Sequence, residues 1–288
     1  MSGEAGKGMP FPFGVNEFTT MPLSLEKDVE LYAGLSVEAI ELCEAKLSQQ
    51  GWADQLRLIA RSGLAVSAVQ PLVRTFLSSQ MQSQPEGLEA RVVRLRQSIE
   101  RIAPFAPGTA FVVNTGAPQN GDVAGAVAEV TRQLRDLAGF AADHGVRIAV
   151  EPLNATAMNT ETAIWTLSQA TDIVEAVGRD NVGLCLDLWN VWQDAGIEGE
   201  IRRAGDRIFV LQVSDWHPPR SSGDRLIPGQ GAIPLGNLLR IVHETGYRGA
   251  CTVEIFSQDV PDSLYERDLR AVLQDCRAGL ERAWLEGA

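Results

Sequence analysis

Four short apolar runs in the second half of the chain each carry a side chain able to bind a cation or move a proton. Glu151 closes Ile148-Ala149-Val150, and Asp187 closes Val182–Leu186. Gln212 lies in Leu211-Gln212-Val213 with Asp215 three residues on, and Glu254 follows Thr252-Val253. No basic residue adjoins any of the four acids. Carboxylates gathered at one place repel one another and lose hydration, so protons or a positive charge must accompany them. A divalent cation is the economical answer. Two Glu, one Asp and an amide oxygen form a hard, oxygen-only donor set suited to Mn2+ or Mg2+. The alternative is that each acid stands in its own exposed loop beside its own arginine. The recurrence of the pattern at consecutive run ends favours the shared site.

Such a site needs a scaffold that brings distant run ends together. The chain alternates β-type runs with amphipathic segments eight times. The pairs are Phe13–Thr19 with Leu25–Gly34, Ala39–Cys43 with Ala45–Ser62, Leu64–Gln70 with Glu89–Ala103, and Ala110–Asn114 with Val123–Ala142. They continue with Arg147–Glu151 and Glu161–Val177, Val182–Asp187 and Gly199–Ala204, Arg207–Asp215 and Leu235–Thr245, and Ala250–Phe256 and Ser263–Trp284. In the fourth helix Val123, Val127, Val130, Leu134, Leu137 and Ala141 recur in steps of 4, 3, 4, 3 and 4, one stripe on one face. Runs such as Val182–Leu186 are continuously apolar, as strands buried on both faces require. Eight units within 288 residues predict a (β/α)8 barrel. An open doubly wound sheet is the rival with the same alternation. In a barrel, reacting groups gather where strands end and βα loops begin, which is where these acids stand.

Composition narrows the partners. With 25 Lys+Arg against 37 Asp+Glu the chain carries a formal charge of −12, and so has no general attraction for phosphate backbones or anionic lipid. Neither a nucleic acid nor a membrane is expected as partner. No apolar run reaches the roughly 18–20 residues of a membrane span. Met1–Pro10 lacks the basic start and apolar core of a secretory signal. The four cysteines are scattered, and three lie in apolar runs where buried thiols are expected. Together these features predict a cytoplasmic protein.

The stretches "IAVEPLN", "VGLCLDLWNVW", "LQVSD" and "DRLIPGQGAIPLGNLLRIVHETGYRGACTVEIF" resemble the sugar phosphate isomerase/epimerase superfamily, the xylose-isomerase-like TIM barrels. The likeness runs from about Phe13 to Phe256. It implies a single-domain α/β (β/α)8 TIM barrel over residues 13–288 behind a flexible segment 1–12. It also implies that Glu151, Asp187, Gln212 and Glu254 hold one divalent ion, Mn2+ or Mg2+ ahead of Co2+ or Zn2+. In the epimerases of this superfamily the two glutamates double as an acid–base pair, one removing a proton beside a carbonyl and the other returning it to the opposite face of an enediolate. The implied activity is isomerisation or epimerisation of a small ketose, keto-polyol or sugar derivative, by a protein that forms homodimers or homotetramers. Two positions depart from the epimerase pattern, which has His where Gln212 and Asn190 stand. The superfamily's dehydroshikimate dehydratases have Gln at the first, so a lyase acting on a keto-polyol or 3-keto-glycoside is the second reading. A nuclease like endonuclease IV would need a histidine-rich zinc cluster, and the chain has only three His. A barrel that has lost catalysis and serves as a metal-binding module is a further alternative.

Arg225 matches an arginine that grips substrate oxygens in the epimerases. Asn190, His217, Asn114, Glu44 and Trp189 are further candidates for substrate contact. His144 reads as part of a helix end and His243 as a helix-surface residue. Gly229-Gln230-Gly231 does not open directly onto a helix and makes a poor dinucleotide fingerprint.

Overall fold

The structure, a computed structural model, describes residues 8–287. Eight parallel strands close on themselves in sequence order: β1 (Phe13–Asn16), β2 (Ala39–Cys43), β3 (Ala65–Gln70), β4 (Ala110–Val113), β5 (Arg147–Val150), β6 (Val182–Asp187), β7 (Ile208–Val213) and β8 (Cys251–Val253). Phe13 pairs with Cys251 and Val15 with Val253, and that seam excludes the open doubly wound sheet. The helices are α1 (Leu25–Ala33), α2 (Trp52–Ser62), α3 (Leu88–Ile102), α4 (Val123–Asp143), α5 (Leu167–Val177), α6 (Leu188–Val191), α7 (Ile197–Ala204), α8 (Leu235–Glu244) and α9 (Leu269–Glu286). Among the described residues, none is long and apolar enough to cross a membrane, and all four cysteines are free and buried. Of the segment expected to be flexible at 1–12, residues 1–7 lie outside the described residues. Phe11 is buried against His243, Tyr247 and Trp284.

Three helices begin later than their apolar patterns suggest, each at a deeper cap. The pattern from Ala45 starts a helix only after Gly51. The pattern from Glu161 waits for Thr166, whose side chain and that of Gln169 form a capping box. The pattern from Ser263 waits for Asp268, whose side chain accepts from the Arg270 N–H, while Ser263 itself caps a single 3-10 turn. The skipped stretches are βα-loop material. The stripe of α4 holds, with Val130, Leu134, Leu137 and Ala141 buried. The one-turn α6 is absent from the sequence reading because it follows β6 with no intervening loop, capped by Asp187.

Side chains alternate faces along a strand, so two residues apart means the same face. Inside the barrel Ala68, Ala110, Val112, Ala149, Cys185 and Val210 form a small-residue cluster, closed by Phe209. Two residues beyond Ala68, Val112, Ala149, Cys185 and Val210 come Gln70, Asn114, Glu151, Asp187 and Gln212. The same step from Gly14, Ala39 and Thr252 leads to Asn16, Glu41 and Glu254. Every strand therefore offers a polar side chain toward the C-terminal mouth, and all eight are buried. At the other end, a Cβ on Gly183 would press into the Arg207 carbonyl and come within 2.6 Å of the Phe209 ring. Gly183→Ala is expected to cost about 1–3 kcal/mol through overpacking, read as a lower urea midpoint at unchanged m-value.

Candidate metal centre and its cavity

Strand periodicity delivers Glu151, Asp187 and Glu254 to the barrel mouth with one carboxylate oxygen of each lying within 4.8 Å of the others. All three are at most 5% exposed. Each is oriented by fixed donors. Asn114 Nδ2 donates to Glu151 Oε2 at 2.9 Å, and Asn190 Nδ2 donates to Glu151 Oε1 at 3.1 Å and to Asp187 Oδ2 at 2.9 Å. Asn16 Nδ2 donates to Glu254 Oε1 at 2.9 Å. Arg225 Nη1 bridges Asp187 Oδ2 at 2.9 Å and Glu254 Oε2 at 3.0 Å.

Without a cation these acids hold their protons strongly. Burial, with the Asp187 charge adding to it, pushes Glu151 up to about 7. Burial drives Glu254 well above the usual carboxylate range, with Arg225 drawing it back in part and the charges of Asp187, Glu151 and Glu41 adding to the rise. Asp187 is raised by burial and partly restored by Arg225. Three buried carboxylates facing one guanidinium leave two negative charges uncompensated, the deficit a divalent cation would fill. The donors are all oxygens, so the set fits a hard ion. Glu151, Asp187 and Glu254 could hold it directly.

Gln212 is turned differently. Its Nε2 donates to Glu41 Oε1 at 2.8 Å and to Glu254 Oε1 at 3.1 Å, while its Oε1 accepts from the Cys185 thiol at 3.1 Å. A half-turn of the amide would put oxygen where nitrogen now stands, beside Glu254. Glu41 accepts from Gln70 Nε2 at 2.9 Å through the same oxygen, and its Oε2 is buried with no partner among the described residues. Burial pushes this acid up to about 8, which keeps it protonated at neutral pH.

Arg225 is seated rather than free. Its guanidinium lies between the Trp189 and Phe256 rings, at 4.6 and 4.9 Å, and its backbone N–H donates to Phe256 O at 2.9 Å. The loop that carries it folds around Asp215, whose carboxylate accepts from the N–H groups of Trp216, Gly229, Gly231 and Ile233. Gly231 has no room for a Cβ against that carboxylate and the Trp216 backbone.

Asn114, Asn190, Arg225, Glu151 and Glu254 line one cavity at the mouth, together with Phe18, Gln70, Arg74, Asn154 and Glu161. Three expected contact residues lie elsewhere. Glu44 is buried on the outer side of β2, accepting from Leu72 N, Ser98 Oγ and Arg101, because it starts a 3-10 turn after the last inward position. His217 is exposed and turned to the Pro218 carbonyl. Trp189 supports the Arg225 guanidinium and is not part of the cavity wall. The His144 ring stacks on Phe140 at its helix end, so none of the three histidines lines the cavity. Asn16, Glu41, Gln70 and Arg74 were missed from sequence. The first three answer to the same strand-end rule, applied to the first half of the chain.

A family model described as xylose isomerase-like TIM barrel matches residues 29–276. An inosose isomerase of Halalkalibacterium halodurans is 36% identical over 128 residues, 43% of this chain and 44% of that enzyme. A 3-dehydroshikimate dehydratase of Pseudomonas aeruginosa is 28% identical over 245 residues, 81% of this chain but 36% of that enzyme. The matches thus span less than half the length of these curated relatives. Among solved structures, an IOLI protein carrying a bound zinc atom superposes with a TM-score of 0.77 at 21% identity, over 96% of this chain and 99% of that one.

Proposed function

The chain belongs to the xylose isomerase-like TIM barrel family, and from that premise we propose that it is a divalent-metal-dependent isomerase or epimerase of a small ketose, keto-polyol or sugar derivative. The observation that carries this reading is the buried Glu151–Asp187–Glu254 cluster, with its acids fixed by Asn16, Asn114, Asn190 and Arg225. Glu151, Asp187 and Glu254 would hold the ion, joined by Gln212 through a turned amide whose oxygen accepts from protonated Glu41. When bound, the ion polarises the substrate carbonyl and stabilises negative charge on its oxygen. The oxygen-only donor set favours Mn2+ or Mg2+, while the zinc atom of the IOLI protein keeps Zn2+ among the ions to be tested.

Glu151 and Glu254 are the acid and base. Inversion at carbon needs one carboxylate to take a proton and a second to return it, and this cavity wall has two glutamates at adjoining corners of one cluster. Asn114 and Asn190 hold both oxygens of Glu151, so its reach toward a substrate is set before binding. Arg225 steadies Asp187 and Glu254 and presents the rest of its guanidinium to substrate oxygens. Incubated with Mn2+ and a panel of ketoses and inososes in D2O, the protein is expected to wash deuterium into the carbon beside the carbonyl of at least one of them, as followed by NMR. Absence of wash-in across the panel would overturn the reading.

A lyase is the second reading, favoured by a cavity without imidazole and by the long match to a 3-dehydroshikimate dehydratase. The same proton abstraction would then be followed by loss of a β-hydroxyl, and a growing enone absorbance in place of an epimeric mixture selects it.

A further inference from the structure

The cavity wall holds two guanidinium groups, and only one of them makes ion pairs with acids. Arg225 is engaged by Asp187 and Glu254. Arg74, on the loop between β3 and α3, has no hydrogen-bond or ion-pair partner for its side chain among the described residues, yet it lines the same cavity. It is not a loose surface arginine. Its backbone N–H donates to Gln82 Oε1 at 3.1 Å, and its carbonyl accepts from the N–H of Asn114, the residue that orients Glu151. Its guanidinium lies 5.7 Å from the centre of the Phe18 ring. The loop is anchored from beneath by the fully buried Arg91 of α3, which donates to Thr75 O at 2.8 Å and Pro85 O at 2.6 Å. A divalent ion together with Arg225 would balance the three clustered carboxylates, so none of these needs the hydrogen bonds that Arg74 has to offer. Glu161, the other acid of the wall, stands half-buried with both oxygens taking the Met81 N–H at 3.3 and 3.0 Å.

We propose that Arg74 recognises an anionic group on the substrate, so that the site takes a keto-polyol bearing a carboxylate or a phosphate. This rests on the metal-dependent isomerase or lyase reading and narrows its substrate class. A guanidinium offers paired donors to either oxyanion, and such charge-assisted contacts are about twice as strong as neutral ones. A neutral ketose would leave this guanidinium without a charged hydrogen-bond acceptor.

The test is calorimetric titration of the Mn2+-loaded protein with D-fructose, 5-keto-D-gluconate and D-fructose 6-phosphate, which present no anion, a carboxylate and a phosphate. At least one anion is expected to bind about tenfold or more tighter than D-fructose, the 1.4 kcal/mol of one charge-assisted contact. That preference should vanish in Arg74→Gln, persist in part in Arg74→Lys, and shrink with added salt in the wild type and in Arg74→Lys but not in Arg74→Gln. The circular dichroism spectrum and melting temperature are the folding control, expected unchanged in both variants. Equal binding of the three compounds, binding of neither anion, or an anion preference that survives Arg74→Gln would each overturn the proposal. Failure of the wild type to bind Mn2+ sinks the metal reading instead, and the same titrations on metal-free protein then still decide the role of Arg74.

Discussion

Glu151→Gln and Glu254→Gln are each expected to lower turnover by about 10²–10⁴-fold, the range lost when a positioned acid or base is removed, while the barrel stays folded. The substitution keeps volume and one oxygen but replaces the other with an NH2 that can neither accept a proton nor hold a cation. At position 151 both oxygens accept from amide donors, Asn190 on one and Asn114 on the other, so the new NH2 must confront a donor and one bond is lost. At position 254 the donors are Asn16, Gln212 and Arg225, and the variant also strips Arg225 of one of its two carboxylates. Both variants should therefore weaken Mn2+ binding, and Glu254→Gln should lower substrate affinity as well. In the metal-free protein toward alkaline pH, where these acids are forced to ionise, both changes remove one of several mutually repelling charges, so the melting temperature should there hold or rise. Loss of turnover with retained or improved stability separates a chemical role from a structural one. Turnover within tenfold of wild type, in either variant, would remove that residue from the reaction.

The barrel and five of the eight polar residues at its mouth were legible in sequence because both follow from short-range rules. Continuous apolar runs such as Val182–Leu186 announce strands buried on two faces, and a polar residue at the end of such a run is placed by alternation alone. The first half of the chain obeys the same rule less visibly. Glu41 stands inside Ala39–Cys43 rather than at its end, and Glu44, one residue past the strand, attracts attention in its place. The step of two from Ala39 selects Glu41, whereas Glu44 begins a 3-10 turn that swings it outward to Ser98 and Arg101. Arg74 could not be read at all. It sits in a loop with no period, and its place depends on Arg91 and Asn114, 17 and 40 positions further along the chain. The late starts of α2, α5 and α9 have a related cause, since apolar residues of the loops before them pack against the barrel without being helical. Trp189 and His217 mark a further limit. Residue type suggested contact with substrate for both, but orientation, which only the assembled loops fix, turns one beneath Arg225 and the other to solvent.

Removing the metal should make stability fall steeply as pH rises. In the metal-free protein Glu151 is pushed up to about 7 and Glu41 to about 8, and Asp187 and Glu254 are raised as well. The unfolded chain has carboxylates near their ordinary values of about 4. Between those limits the folded form binds more protons than the unfolded one, so stability is fully present below about pH 4 and is lost as pH climbs toward 8. A divalent ion reverses this for the acids it touches, because it binds their deprotonated forms and so stabilises more as pH rises. At a thousandfold excess over Kd the gain is about 4 kcal/mol. Glu17 provides an internal reference. It lies outside the cavity, near Lys46 and Asp28, and burial pushes it up to about 8. The slope it contributes should survive metal loading, and Glu17→Gln should remove that share of it. Melting curves from pH 5 to 8, with chelator and with Mn2+, are expected to diverge progressively toward pH 8. A chelated protein that melts at the same temperature as the loaded one at pH 8, or that grows more stable with rising pH, would mean that the three acids are neither gathered in a dry cluster nor waiting for a cation.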